Sequence, residues 1–212
     1  MIDQILTHDF DNNFSYFIGK KHIAIVDPSE VSLLENEILI DGLIPEAILV
    51  THTHNDHVAG VVELVEKYAI PVYVHENGRG KLEIDNSQAI YIKDDDIIRL
   101  RDVTIQVIHT PGHIEDAVCF YITAEESGDK PMLLTGDTVF VDGCGRADLE
   151  TSNVEDLYNS IQKIKKFPDE TIIYPGHDYG STKTSTIGME KQYNQYFVCK
   201  NLEEFTALRT GI

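Results

Sequence analysis

A short stretch of the chain, Val50 to Gly60 (VTHTHNDHVAG), carries His52, His54, Asp56 and His57 within six residues, directly after an apolar run. Capping or a solvent loop accounts for one aspartate and one histidine in such a place, but not for three histidines. Histidine is the commonest protein metal ligand, and neutral imidazole suits zinc, iron and similar ions. If the preceding strand runs on through His54, then His52 and His54 are two apart and face the same side. The chain must then turn. Asp56 and His57 fall at the start of the helix that follows, where the helix dipole favours a carboxylate. His52 and His54 can therefore grip one ion while Asp56 and His57 face a neighbouring one.

Three later segments end in a similar way. His113 closes HTPGH, Asp137 follows the apolar run of LLTGDT, and His177 closes IIYPGH. Singly they say little: His113 fits a turn as well as a ligand, and Gly-Asp is itself a turn signal. Three strand–turn–ligand endings beside the first cluster make a pattern that chance explains poorly.

The elements that must position these groups are legible as short apolar runs. FSYFIG, HIAIVDP, AILVTH, VYVHE, AIYI, IIRL, VTIQVIH, AVCFYIT, MLLTGD and TIIYPGH all read as strands. HVAGVVELVEKY reads as one helix. NVEDLYNSIQKIKKF reads as another, with Leu157, Ile161 and Ile164 on one face and a capping box from Ser152 and Glu155. Further helices are expected near Val31–Leu39 and from about Ser185. Many strands with few helices imply two β-layers with helices outside, or a mixed sheet. Polar clusters at strand ends are where open sheets place their sites.

The 212 residues suit one domain, 1–212, and carry 17 basic against 36 acidic side chains, a net charge of −19. Such a surface disfavours nucleic acid and anionic membranes as partners, and an anionic substrate would need a local cation. The three cysteines are unpatterned, which suits a reducing cytoplasm better than a disulfide framework. No leader and no membrane-length apolar run is expected. Nothing in the sequence sets an oligomeric state.

The order THTHNDH, TPGH, GDT and PGH resembles the metallo-β-lactamase superfamily, over nearly the whole chain. The resemblance implies an αββα sandwich with metals at one edge between the sheets. Within that superfamily, DNNFSYFIG, AIVDP and GDTVFVDGCGR resemble glyoxalase II, the hydroxyacylglutathione hydrolases. Carried over by motif, His52, His54 and His113 would bind one metal. Asp56, His57 and His177 would bind a second, and Asp137 would bridge the two. Zinc is the first expectation, with iron or manganese as alternatives. A water shared between two such ions becomes a hydroxide near neutral pH and attacks a glutathione-type thioester, whose thiolate leaves without a strong general acid. Asp137 and Asp56 carry the catalytic assignment. Arg146 in GCGR resembles a cation that clamps a substrate carboxylate there; a salt bridge to Asp148 or Glu150 explains it equally well. Tyr179 matches an aromatic used for glutathione, with a packed core tyrosine as the alternative. Cys144 is given no catalytic role.

The resemblance has a second branch. GRAD and the tail YPGHDYGSTKTSTIGMEKQYN are similar to the persulfide dioxygenases, which would place a single iron on His52, His113 and Asp137. The same tail resembles short, single-domain glyoxalase-like hydrolases. Glyoxalase II enzymes usually carry a helical C-terminal domain, which is expected to be absent or much reduced here. A superfamily nuclease is disfavoured by the charge, and a relative without catalysis by the filled ligand positions.

Overall fold

Alternating side chains on one strand show how the layers form. In β2 (Phe14–Gly19), Phe14, Tyr16 and Ile18 enter one buried cluster, while Phe17 enters another on the opposite face. Both faces of the strand are therefore covered, as a near-continuous apolar run requires. The computed structural model describes residues 2–8 and 10–211; residues 1 and 212, the ends of the expected domain, lie outside these.

The first sheet has six strands in the order β1 (Ile2–Leu6), β2, β3 (His22–Val26), β4 (Ile44–Leu49), β5 (Val72–His75) and β6 (Ala89–Ile92). The β1–β2 and β2–β3 pairs are antiparallel, and β3 through β6 run parallel. Parallel neighbours need crossovers: α1 (Val31–Asp41) joins β3 to β4, α2 (Asn55–Val58) and α3 (Val61–Tyr68) join β4 to β5, and the loop 76–88 joins β5 to β6. The second sheet also has six strands, and β7 (Ile97–Arg99), β8 (Thr104–His109), β9 (Val118–Ile122) and β10 (Met132–Gly136) are antiparallel in turn. A small hairpin of β11 (Val139–Phe140) and β12 (Gly143–Cys144) follows. Helix α5 (Val154–Ile164) then carries the chain to β13 (Ile172–Pro175), parallel to β10 and edged by β14 (Ser185–Thr186).

Three apolar clusters fix the layer order. One lies between the sheets, where Tyr16, Val26 and Leu49 meet Val107, Phe120 and Leu134. A second packs Ile25 and Ile48 against Leu34 of α1 and Leu64 of α3. The third packs Leu133 and Ile173 against Leu157, Ile161 and Ile164 of α5. Those three α5 side chains are each 0% exposed, worth about 1.5–3 kcal/mol apiece in burial. The order is helix, sheet, sheet, helix, as the resemblance implies.

Several local expectations are corrected. The helix expected to run from His57 to Tyr68 is two, α2 and α3, with a break at Ala59–Gly60. There the Gly60 N–H donates to the Pro28 carbonyl at 2.9 Å, and a Cβ on Gly60 would crowd Val31 Cγ2 at 2.7 Å. The capping box at Ser152 is absent: Asn153 is the cap, accepting from the Glu155 and Asp156 N–H groups. Ser152 instead donates to the His113 carbonyl at 2.6 Å. Strand β4 stops at Leu49 instead of continuing to His54. The Thr51 N–H leaves the ladder and donates to Asp27 Oδ1 at 2.7 Å. Four strands (β1, β11, β12, β14) and three helices, α4 (Ala124–Ser127), α7 (Gln195–Val198) and α8 (Leu202–Thr210), join the elements read from sequence; α6 (Ile187–Tyr193) is the helix expected from about Ser185. Among the described residues no helix is long and apolar enough to cross a membrane.

Candidate metal centre

The histidines and aspartates meet at one end of the sandwich because the strands that carry them finish there. His52 and His54 follow β4, His113 follows β8, Asp137 follows β10 and His177 follows β13. Strands β8, β10 and β13 point the same way, since each of the first two is antiparallel to β9 and β10 is parallel to β13. The sheets are stitched together at this end. The Val118 N–H donates to the Thr51 carbonyl at 2.8 Å, the Phe14 N–H donates to the Gly176 carbonyl at 2.8 Å, and Asn13 bridges to His177. The Tyr16 hydroxyl donates to the Pro175 carbonyl beside them.

Two groups of donors result. In the first, His54 Nδ1 lies 3.1 Å from His52 Nε2 and 2.9 Å from His113 Nε2. In the second, Asp56 Oδ2 lies 3.4 Å from both His57 Nε2 and His177 Nε2, which are 3.3 Å apart. Asp137 stands between the groups. Its Oδ1 is 3.3 Å from His57 Nε2; its Oδ2 is 3.3 Å from His177 Nε2 and 3.5 Å from His113 Nε2. Glycine permits this approach: a Cβ on Gly176 would collide with Asp137 Oδ1 and lie 2.9 Å from His57 Cε1.

The outer ring nitrogens are held from behind. His113 Nδ1 is 3.0 Å from the Arg146 carbonyl and His177 Nδ1 is 2.9 Å from the Asp11 carbonyl. A carbonyl can only accept, so both rings carry the proton on Nδ1 and turn an Nε2 lone pair inward. His57 Nδ1 meets Asp27 Oδ2 at 2.9 Å. Asp27 also accepts from the Thr51 hydroxyl at 2.5 Å, and it adopts a left-handed φ of 48° at the end of β3. A non-glycine residue held in that conformation is a mark of local constraint. Asn13 Nδ2 donates to Asp56 Oδ2 at 3.0 Å.

Electrostatics separate the groups. Burial lowers the pKa of His52, His54 and His113, so these rings stay neutral, the form that binds metal. Burial opposes the charged form of His57 too, but Asp137, with Asp27 behind it, more than offsets this and raises it well above the ordinary value. His177 is raised in the same way, Asp137 outweighing burial. Burial alone would raise the Asp137 carboxyl, yet His57 and His177 hold it well below the usual carboxylate range.

This donor set fits metal. Inward lone pairs and carboxylate oxygens crowd within hydrogen-bond range of one another, and Asp137 Oδ1 is buried with no hydrogen-bond partner among the described residues. The groups His52–His54–His113 and Asp56–His57–His177 each bring their ligand atoms within 4.8 Å of one another, as does Asp27–His52–His57. The sequence reading missed Asp27, Asn13 and the Asp11 carbonyl. Asp27 had a signal, an aspartate ending the buried run of AIVDP.

The other candidates sit at the rim. The Arg146 guanidinium donates to both carboxylate oxygens of Asp148, at 2.9 and 3.0 Å, on an exposed surface. Tyr179 is 49% exposed and stacks on the His177 ring, centroids 4.5 Å apart and planes 6° apart, while its hydroxyl donates to Asp11 Oδ2 at 2.6 Å. Cys144 is buried, which pushes its thiol up to about 12.

A family model described as the metallo-beta-lactamase superfamily matches residues 8–177. The hydroxyacylglutathione hydrolase of Hamiltonella defensa subsp. Acyrthosiphon pisum is 37% identical over 173 residues, which are 80% of this chain and 64% of that protein. The chain thus spans just under two thirds of the length of the curated relatives it matches. Among solved structures, ETHE1 from Myxococcus xanthus superposes with a TM-score of 0.84 at 27% identity, covering 99% of this chain and 90% of that one. TTHA1623 in a di-iron-bound form gives 0.76 at 28% identity, covering 91% and 98%.

Proposed function

The chain belongs to the metallo-beta-lactamase superfamily, and from that premise we propose that it is a metal-dependent hydrolase of glutathione-type thioesters, one domain over residues 1–212, working in a reducing cytoplasm. The observation that supports this most is the second donor group. Asp56, His57 and His177 form a near-equilateral set beside the three histidines, with Asp137 reaching both. Similarity to hydroxyacylglutathione hydrolases supports the substrate class.

In this reading His52, His54 and His113 would hold one ion, Asp56, His57 and His177 would hold the other, and Asp137 would serve both. Two divalent ions, zinc before iron or manganese, would supply a water acidic enough to attack at neutral pH and would polarise the thioester carbonyl. The chain's own groups do the rest. Asp137 and Asp56 orient the attacking water through their carboxylates, and Asn13 fixes Asp56. The carbonyls behind His113 and His177 keep those rings from turning and hold their proton on Nδ1, which leaves Nε2 for the metal side. Arg146 exchanges Asp148 for a substrate carboxylate, and Tyr179 offers its ring and hydroxyl to the glutathione moiety.

A second reading, oxidation of glutathione persulfide with one iron on His52, His113 and Asp137, is favoured by the sequence around Arg146 and from His177 to Asn194. One experiment separates the two. The protein is loaded with zinc or with ferrous iron, its metal is counted, and each form is given S-lactoylglutathione and glutathione persulfide. Thiol release without oxygen, with two metal equivalents, is the expected result. Oxygen uptake by the iron form, with no thioester cleavage by either, would replace the first reading with the second.

A further inference from the structure

Thr53 separates His52 from His54, in a segment that belongs to no strand or helix. Something other than a β-ladder must therefore hold two histidines with their donor atoms 3.1 Å apart. That something is a carboxylate from another loop. The Asp116 side chain is 0% exposed and accepts from the Thr53 hydroxyl at 2.5 Å and the Thr53 N–H at 3.3 Å. Lys81 Nζ, 3.1 Å from Asp116 Oδ2, balances the charge. A buried carboxylate is costly unless its oxygens are met by donors and its charge is paired. Here both conditions are satisfied, by the Thr53 hydroxyl and N–H and by Lys81, which Glu115 shares.

Asp116 lies three residues after His113, in the loop from β8 to β9. Its bonds to Thr53 therefore tie the loop carrying His113 to the loop carrying His52 and His54, beside the Thr51–Val118 backbone bond. We propose that Asp116, acting through Thr53, is a positioning residue that latches the three-histidine group into its metal-binding arrangement. The second group has no part in this latch; it is held by Asp27, Asn13 and the Asp11 carbonyl. The proposal rests on the two-group reading above.

The test measures zinc affinity against a chromophoric chelator, which resolves the binding steps without reference to activity. His54→Ala identifies the step that belongs to the three-histidine group. Thr53→Val keeps the shape and removes the hydroxyl, Thr53→Ser restores it, and Asp116→Asn keeps the size while losing the charge that Lys81 meets. Supports behind metal ligands typically matter by roughly 10–100-fold in affinity. Thr53→Val and Asp116→Asn should each weaken the step assigned by His54→Ala about 10-fold, at the low end of that range. The other step should move far less, and Thr53→Ser should bind as the unmodified protein does. Melting of the metal-free variants reports folding. Loss of fold in both Thr53→Val and Asp116→Asn, or equal weakening of both steps, would give the latch a general structural role and overturn the proposal. Two equivalents bound by the unmodified protein and unchanged affinities in both variants would overturn the latch alone. A protein that binds no metal would overturn the two-group reading and the latch together.

Discussion

The two donor groups at the sheet edge are built from nearly the same residue types and behave differently. One is three histidines, kept neutral by burial. The other mixes two histidines with carboxylates, and there Asp137 and Asp27 favour protonated rings. Without metal the first group has lone pairs and no charge to satisfy them. In the second the carboxylates favour the charged form of the rings. The difference teaches that protons compete with an entering cation more strongly at the second group than at the first.

The sharpest way to break the comparison is to remove the residue the groups share. Asp137→Ala should lower metal content at both groups and cut turnover by roughly 100-fold or more, the scale of losing one preorganised electrostatic contact. A variant with full metal and activity would reduce Asp137 to a turn residue. Asp27→Asn acts mainly on one side, since an amide oxygen can still accept from the Thr51 N–H beside His52. His57 loses a carboxylate behind Nδ1, so affinity in the second group should fall about 10-fold or more and that of the first far less. Equal losses in stepwise metal titration would mean the groups are not separable.

Acid provides a milder test. His57 and His177 have raised values, so on acidification protons compete for the second group first, and its metal should leave at a higher pH than that of the first. Metal content followed by dialysis across a pH series reads this directly. In the metal-free protein the signs run the other way. The raised His57 stabilises the fold fully below the ordinary histidine value and ceases to as pH climbs through its folded value. The depressed Asp137 stabilises above the ordinary carboxylate value and ceases to as pH falls through its folded value. Thermal midpoints without metal should peak between those limits and fall on either side. The smallest effect is expected at the rim. Arg146→Ala should raise KM for glutathione thioesters a few-fold and leave kcat nearly unchanged, since a remote clamp binds ground and transition states alike. An unchanged KM would leave Arg146 with Asp148.

The clustered histidines and aspartates were legible as candidate donors because type and local spacing announce them, and the strands because their apolar runs are short and continuous. Other parts speak only in three dimensions. Helix α8 buries just Phe205 completely, so its sequence shows little periodicity. Strands β11, β12 and β14 are two residues each, too short for alternation to appear. Asn153 rather than Ser152 caps α5 because the Ser152 hydroxyl is committed to the His113 carbonyl. Asp27 and Asp116 support ligands far from them in sequence, 30 residues for the Asp27–His57 contact and 63 for Asp116–Thr53. No local pattern carries such partnerships.

The stitching of the sheets also sets a timetable. His54 meets His113 across 59 residues, and His57 meets His177 across 120. Closing loops of that length is entropically slow and must wait for the pairings between. His177 reaches the second group only with β13 beside β10. Any metal is therefore expected to enter late and to lock a finished chain, not to template its collapse. Refolding should proceed at the same rate with chelator or zinc present, and zinc should slow only unfolding; faster refolding in zinc would show that donors meet early.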